Sequence, residues 1–407
     1  MNVRRFNNYF FIYLFLLFFF GIIWLYTKHL VGNDSTISEW LINYQGGFTR
    51  RGLIGEICFQ IAKYFDLSLR FVIFLFQSFI YTIFLVLIYR FFRNIPTNLI
   101  VILSIFTPIF LLYPVAEVEV LARKETFVFI AFLIFLNISN SNYSSNLPLY
   151  YVFFILPIFC LIWEPVVFFF PLMASVLIIR LRNDQLIKLL SKIIVCFIPA
   201  LVVSAITAIM LISPENQMIM ADSLKENFGE DCYMSCAFLV SKASIAKQFE
   251  YTNDLYAPYV FIRYFLIILV GFAAFFLLSF NSKLKIKILF FKNFNNLLYP
   301  VLIILTPVLV LFAMGTDWGR WVNISYTFII LFYFYLLKNN LLEINLDKTT
   351  KKISFFDNKK SLLILCFIIY AFGWTPQTGM TGDVSSIPGY KIPYKSIKML
   401  YYQINNN

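Results

Sequence analysis

The chain has few charged side chains and almost no histidine. Of its 407 residues only 13% are Asp, Glu, Lys or Arg, and His29 is the single histidine. Zinc sites take their ligands mainly from Cys and His, and the six cysteines form no paired close-spaced motifs. The same shortage is unfavourable to acyltransferase chemistry that depends on histidine. We therefore expect no metal site and no cofactor.

Long apolar runs make up most of the chain. Hydrophobic residues account for 60% of it, and 50 residues are Phe. Repeated uncharged runs of roughly 20 residues are typical of membrane spans. We predict an all-α fold, a polytopic transmembrane helical bundle of about 11 spans. The spans lie near 9–27, 71–89, 97–115, 126–138, 147–163, 165–179, 193–212, 264–280, 297–315, 321–337 and 361–374.

Charge is distributed unequally between the two sides of these spans. An amino terminus in the cytoplasm, with Arg4 and Arg5, also places the basic loops 281–296 and 338–360 inside, as the positive-inside rule requires. Seventeen of the 21 acidic residues then lie outside. The net charge of +12 is explained by basic residues in cytoplasmic loops, so we expect no nucleic-acid partner.

The threading divides the chain into a polytopic membrane domain, 1–374, and an outer carboxy-terminal tail, 375–407. The tail is rich in glycine and proline and is expected to form turns. The two largest outer loops of the membrane domain are 28–70 and 213–263. The chemistry is expected on this outer side.

The second of these outer loops contains Cys232 and Cys236. In an exported loop they could form a disulfide, and two unpaired thiols fit the sequence equally well. The acidic residues of this loop are expected to form a solvated surface: Asp222, Glu226, Glu230 and Asp231.

The first outer loop predicts two helices lying in the membrane interface. Thr36 and Glu39 have the spacing of a capping box, so Glu39 is expected to cap a helix that starts at Ile37. Its apolar residues recur on one face, and Gly46-Gly47 ends it. A second interfacial helix is expected from Leu53 to Phe65. Asp34, just before the first helix, either caps it or faces a cleft.

Arg50 and Arg51 follow the glycine pair and precede Gly52. Two guanidinium groups in a turn beside a helix start can hold phosphate oxygens. Arginines at a membrane edge also commonly reach out to lipid head groups. The glycine turn and nearby Glu56 favour the phosphate-binding interpretation.

The outer turn from Asp317 to Trp321 is the second polar motif. Asp317 and Arg320 are three residues apart and could simply pair. Trp318 and Trp321 could belong to an aromatic belt. An acid, a base and two indoles within five residues also suit a carbohydrate. Both interpretations fit the sequence.

Two smaller clusters lie on the same predicted side. Arg123, Lys124 and Glu125 stand together at the start of the fourth span. Glu164 precedes Pro165 in a very short turn, where it is either a solvated turn residue or a carboxylate that needs a partner.

This layout resembles the Wzy-type O-antigen and capsule polysaccharide polymerases and, more broadly, the GT-C class of lipid-linked sugar transferases. The resemblance in layout covers the whole chain. Its motifs are Gly46-Gly47-Phe48-Thr49-Arg50-Arg51-Gly52-Leu53, Arg123-Lys124-Glu125 and Asp317-Trp318-Gly319-Arg320-Trp321. The related O-antigen ligases are associated with an outer histidine, for which this chain offers only His29.

The resemblance implies a membrane enzyme that transfers glycan between undecaprenyl-diphosphate-linked oligosaccharides on the periplasmic side of a bacterial inner membrane. Membrane lipids, and a flippase and a chain-length regulator of the same pathway, are its expected partners. Positive side chains would stabilise the departing diphosphate: Arg50, Arg51, Arg320, Arg123 and Lys124. Trp318 and Trp321 would bind sugar. The catalytic base would be one of four carboxylates, in the order Asp317, Glu56, Asp34 and Glu164.

Two other functions fit the same sequence. One is a GT-C transferase that adds a single sugar from a polyprenyl phosphate. The other is a flippase or exporter of lipid-linked oligosaccharide. The predicted spans contain no Asp, Glu, Lys, Arg or His, whereas ion-coupled transporters usually carry ionisable groups at mid-membrane depth. Enzyme function is therefore the favoured prediction.

Overall fold

The computed structural model describes residues 3–30, 35–140, 143–232, 234–237, 239–240, 245–344, 360–379 and 387–406. Asp34 lies outside these described residues. The fold is helical, apart from one short antiparallel strand pair in the described part of the chain, so the predicted all-α class is confirmed.

The five longest of the described α-helices follow apolar runs. The expectation that the tail 375–407 forms turns is wrong for Pro388–Asn406, which is helical. In chain order the α-helices are α1 (Val3–Leu30), α2 (Ser35–Leu41), α3 (Gly52–Tyr64), α4 (Leu69–Phe92), α5 (Leu99–Ile105), α6 (Tyr113–Ala116), α7 (Glu125–Ile138), α8 (Leu147–Tyr150), α9 (Leu156–Ile162), α10 (Phe170–Arg180), α11 (Leu186–Ile209), α12 (Pro214–Phe228), α13 (Met234–Ala237), α14 (Ile245–Leu255), α15 (Pro258–Phe280), α16 (Leu298–Ile304), α17 (Leu309–Met314), α18 (Trp318–Lys338), α19 (Lys360–Phe372) and α20 (Pro388–Asn406).

Shorter elements complete the described chain. A π-helical turn, Tyr151–Ile155, joins α8 to α9. Single 3-10 helices occur at Val118–Val120, Glu164–Phe169, Leu289–Asn293 and Thr306–Val308. The strands β1 (Ser282–Leu284) and β2 (Leu342–Ile344) pair antiparallel.

Five of the described helices are long and apolar enough to cross a membrane: α1, α4, α11, α15 and α18. Three shorter apolar helices accompany them, at Glu125–Ile138, Leu147–Ile162 and Ser361–Phe372. These helices indicate a membrane protein. The count of eleven spans is not confirmed.

Proline accounts for two of the interrupted spans. Near 97–115 the chain leaves helix after Ile105, shortly before Pro108, and near 297–315 the 3-10 turn Thr306–Val308 contains Pro307. Proline removes a backbone donor and disfavours helix in the residue before it. The freed carbonyls of the first break are satisfied by a neighbouring helix, because Asn323 Nδ2 donates to the oxygens of Ile109 and Phe110 at 2.9 Å.

Helix α18 forms the centre of the bundle. Every residue from Gly319 to Leu336 is buried, and the Phe328 ring stacks on Phe169 with centroids 4.1 Å apart. Tyr326 also donates to the Ser104 carbonyl at 2.6 Å. The helix that begins with the Asp317–Trp321 motif is therefore enclosed by its neighbours rather than exposed to lipid.

Polar contacts mark one end of the bundle. Asn7 bonds Asn94 at 2.9 Å, and Asn339 bonds Asn140 at 3.0 Å. Arg180 donates to the Tyr143 carbonyl at 2.6 Å. The first contact joins the amino terminus to the loop 90–96, and the other two join the loops 139–146, 180–192 and 338–360, all predicted to lie inside. The loops predicted to lie outside meet at the opposite end, and the orientation of the two ends relative to the cytoplasm stays a prediction.

The prediction that α2 lies in the membrane interface is wrong. Its apolar residues Ile37, Trp40 and Leu41 are at most 1% exposed, because α3 and α13 pack on either side of it. Helix α3 keeps an exposed apolar side, with Ile57 38% exposed and Tyr64 83% exposed.

A disulfide lies within the second outer loop, beside the short helix α13 that packs against α2. Cys232 is paired with Cys236, whose Cα lies 5.8 Å away. Cys236 is buried against Ile42, and the hydroxyls of Ser38 and Ser235 are 2.7 Å apart. Of the two open interpretations of these cysteines, the structure shows the disulfide.

Gly55 permits the close approach of α3 to the end of α2. A Cβ at Gly55 would lie 1.8 Å from the Ile42 carbonyl oxygen and 2.6 Å from that of Trp40. We expect Gly55→Ala to lower the free energy of unfolding by about 1–3 kcal/mol or more, as overpacking does. Thermal unfolding in detergent measures this. Gly379→Ala is the control, because no atom of the described residues is found within 4 Å of a Cβ built at Gly379. Equal melting temperatures for both variants would contradict the packing shown.

Candidate functional site

Glu39 is the centre of a buried cluster of charges. Its side chain is only 7% exposed, and three arginine guanidinium groups lie within 4 Å of its Oε1 atom. Arg51 Nη1 is 3.2 Å away, Arg320 Nη2 3.5 Å and Arg123 Nη1 3.7 Å. Glu39 therefore joins residues of the first outer loop, the 117–125 segment and α18. Glu39 was predicted to cap a helix, but in the structure its carboxylate pairs with arginines instead.

Arg51 connects Glu39 to Glu164. Its Nε donates to Glu164 Oε2 and its Nη2 to Glu164 Oε1, both at 2.8 Å, in the forked geometry that arginine makes with carboxylates. Its own carbonyl accepts from Lys124 Nζ at 2.5 Å. Glu164 is thus a paired, largely enclosed carboxylate rather than a solvated turn residue.

Arg320 connects Glu39 to two further carboxylates. Its Nε donates to Glu125 Oε1 at 2.6 Å, and its Nη2 contacts the same oxygen. Its Nη1 donates to Asp317 Oδ2 at 3.3 Å. The guanidinium carbon also lies 5.1 Å from the centroid of the Trp321 ring. Arg320 is 4% exposed, whereas the Asp317 side chain is 39% exposed and is the most open acid of the group.

We call this cluster the charge network. It contains four acidic and four basic side chains, so its formal charge is zero: Glu39, Arg51, Arg123, Lys124, Glu125, Glu164, Asp317 and Arg320. Arg50 adjoins it; burial and the neighbouring charge of Arg51 lower the pKa of Arg50, and Glu164 opposes them. Buried ions are stable only when they are paired and hydrogen-bonded. The three arginines of the network are each paired with at least one carboxylate, and Lys124 is hydrogen-bonded to the Arg51 carbonyl.

Two turns of the network contain residues with left-handed backbone. Arg51, just before α3, has a φ of 62°, and Ala122, just before Arg123, has a φ of 49°. Such conformations cost of order 1–3 kcal/mol for residues other than glycine, and they cluster at functional sites. Both turns direct a basic residue toward Glu39.

Several network residues lie outside the long helices, and burial and pairing shift their pKa values. Burial alone would raise the pKa of Glu39, but the charges of Arg320, Arg123 and Arg51 outweigh it and lower the pKa to about 2. The same opposition between burial and Arg51 lowers the pKa of Glu164. For Lys124, burial dominates and lowers the pKa to about 8.

Two carboxylate oxygens of the network have no hydrogen-bond partner among the described residues. They are Glu39 Oε2 and Glu125 Oε2, and both are buried. A cavity of about 20 Å³, the size of one water molecule, is lined by Glu125, Arg320 and Asn323. The network thus contains acceptor capacity that its protein partners leave unused. The described residues contain no group of His, Cys, Asp and Glu arranged to hold a metal ion.

The other predicted site residues lie outside the network. Glu56 accepts from the Tyr44 backbone at 2.8 Å and from the side chains of Gln45 and Gln60. It therefore holds the turn before α3 instead of facing the charges.

The two tryptophans of the 317–321 motif are packed within the protein. Trp318 Nε1 donates to the Phe312 carbonyl at 2.9 Å, and its ring contacts Phe261 and Tyr264 edge to face. Trp321 is 9% exposed beneath Arg320. Neither ring is an open platform for a sugar in this arrangement.

Gly319 allows the segment after α19 to cover the start of α18. A Cβ there would lie 2.2 Å from the Gln377 carbonyl oxygen and from the Tyr113 hydroxyl. Tyr264 donates to the Gln377 carbonyl at 2.7 Å, and Gly319 N to that of Thr378 at 3.2 Å. Position 319 therefore requires glycine, because these neighbouring groups leave no room for a side chain.

Two ion pairs near the network were missed by the sequence reasoning. Arg70 binds Glu230, with Nη2 2.8 Å from Oε2, so Glu230 is not part of a solvated acidic surface. Lys391 Nζ lies 3.2 Å from Glu117 Oε1. The partners are 160 and 274 residues apart, and no local spacing signals such pairs.

Searches of protein families, of curated proteins and of solved structures find no match for this chain.

The low pKa of Glu39 predicts a pH-dependent loss of stability. Its pKa is about 2 in the folded protein against an ordinary value of 4.5, so the contribution is present above pH 4.5 and is lost as pH falls toward 2. The loss is on the order of 3 kcal/mol. We expect Glu39→Gln to lower the melting temperature at pH 7 and to weaken its pH dependence between pH 4.5 and 2. Thermal unfolding monitored by tryptophan fluorescence checks both.

Glu226→Gln serves as the control, because Glu226 is exposed on α12. It should retain the pH dependence of the unaltered protein. A Glu39→Gln variant with an unchanged acid profile would show that Glu39 does not hold the arginines.

Proposed function

We propose that the chain is a membrane glycosyltransferase, a polymerase of O-antigen or capsule repeat units. It would transfer glycan between undecaprenyl-diphosphate-linked oligosaccharides on the periplasmic side of a bacterial inner membrane. The observation that supports this most is the charge network. Around Glu39 it assembles three separate polar motifs, which contain Arg51, Arg123 and Arg320.

Asp317 is the acid best suited to act as the base. Its side chain is 39% exposed, whereas Glu39, Glu125 and Glu164 are 7%, 5% and 13% exposed. In the proposed step Asp317 takes the proton of the acceptor hydroxyl, whose oxygen attacks the anomeric carbon of the donor glycan. The bond from that carbon to the diphosphate breaks, and the lipid diphosphate leaves with the electron pair.

The basic side chains would stabilise the leaving group electrostatically. Fixed charges in a site of low dielectric constant act strongly on developing charge, because they are already oriented. Arg51 and Arg320 are each held by at least two carboxylates, so a diphosphate would share these cations with them. Arg50 and Lys124 add positive charge beside the pairs.

An exporter of lipid-linked oligosaccharide is the second candidate. The observation that favours it is the pair of broken helices near 97–115 and 297–315, since discontinuous helices line binding sites in many transporters. The two functions differ in what accumulates after loss. A failed polymerase leaves single repeat units outside the membrane, and a failed exporter leaves the oligosaccharide on the cytoplasmic side.

Asp317→Asn tests the proposed base with little change in shape. We expect long-chain polysaccharide to fall about 100-fold or more, in line with loss of general base catalysis, while single repeat units still reach the lipid core. A gel of the polysaccharide measures chain length, and an immunoblot measures the protein. Asp222→Asn, an exposed acid on α12, should leave chain length unchanged. A normal polymer ladder in Asp317→Asn would overturn the assignment of the base.

A further inference from the structure

An apolar groove lies between α19 and α20. Its cavity has a volume of about 690 Å³, within the roughly 300–1,000 Å³ of ligand pockets. Apolar side chains of both helices and of the residue before α20 form most of its walls: Ile368, Ile369, Phe372, Ile387, Pro393 and Tyr394. A hydrocarbon chain is the ligand that such a lining accepts without leaving polar groups unpaired.

A lysine stands at the rim of this groove. Lys398 Nζ lies 6.0 Å from the ring centroid of Tyr394, which lines the groove, and 5.8 Å from that of Tyr402. The lysine is exposed, and no ion pair involves it among the described residues. The groove therefore combines an apolar interior with a positive charge at one edge.

Helix α20 has the character of a helix that lies along a membrane surface. It carries Lys391, Lys395 and Lys398 and no acidic residue. One side packs on α1 and α6, with Ile392 5% exposed, while apolar and aromatic side chains face outward: Tyr394, Ile397, Tyr401 and Tyr402. Exposed tyrosines and lysines on one amphipathic helix suit the head-group region of a bilayer.

We propose that the groove binds an anionic phospholipid of the surrounding bilayer, with an acyl chain between α19 and α20 and the phosphate against Lys398. Charge complementarity identifies the head group, because the rim offers one cation and α20 offers no acid. A sugar-bearing diphosphate would need more polar partners than the six side chains named above provide. This site does not depend on the proposed enzymatic function.

Lipid-dependent stability of the full-length protein tests the assignment. The purified protein in detergent receives phosphatidylglycerol or phosphatidylcholine, and apparent affinity is read from the shift in melting temperature. We expect phosphatidylglycerol to bind more tightly. Lys398→Gln should weaken it about fivefold, the effect of one lysine near a lipid surface, and leave phosphatidylcholine unchanged. Gly389→Leu, which places a side chain in the groove, should weaken both lipids.

Lys283→Gln is the matched control, because Lys283 is an exposed lysine on β1 at the opposite end of the bundle. It should keep the full preference for phosphatidylglycerol. Equal preference in Lys398→Gln and the unaltered protein would overturn the proposal. A tighter binding of undecaprenyl phosphate than of phosphatidylglycerol, lost in Lys398→Gln, would also overturn it by assigning the groove to an isoprenoid.

Discussion

The cost of burying charge governs the arrangement of the end of the bundle that contains the charge network. A carboxylate taken out of water loses several kcal/mol of hydration, and only close positive charge compensates for it. Glu39 obtains that compensation from three arginines on one oxygen atom. Those arginines come from the turn before α3, the turn before α7 and the start of α18. The need to compensate one buried carboxylate therefore brings three separate segments together.

The same end of the bundle depends on backbone features that admit this pairing. Arg51 and Ala122 adopt left-handed conformations, and Gly55 and Gly319 permit contacts too close for any side chain. Removal of one partner would leave the others charged and without compensation, which costs more than the pair contributes. The network is therefore better understood as a means of fixing positions than as a source of stability.

Much of this arrangement could be predicted from the sequence, since apolar runs and sparse charges identify the helices and the polar end. Arg51, Lys124, Asp317 and Arg320 were recognised because polar residues are rare in such a chain. The role of Glu39 was hidden, because its spacing from Thr36 imitates a helix cap and its partners are 12 to 281 residues away. The helix break near Pro108 was also missed, because the span was predicted from the length of its apolar run, which does not show where backbone hydrogen bonds are interrupted.

The coupling between Arg51 and Arg320 tests most directly whether their motifs form one site. Equilibrium unfolding in detergent of Arg51→Gln, Arg320→Gln and the double variant gives their interaction free energy. Because both side chains share Glu39 Oε1, the account predicts a departure from additivity of at least about 0.5 kcal/mol. Effects that add within about 0.3 kcal/mol would mean that the two arginines act in separate places, and the charge network would not exist as described.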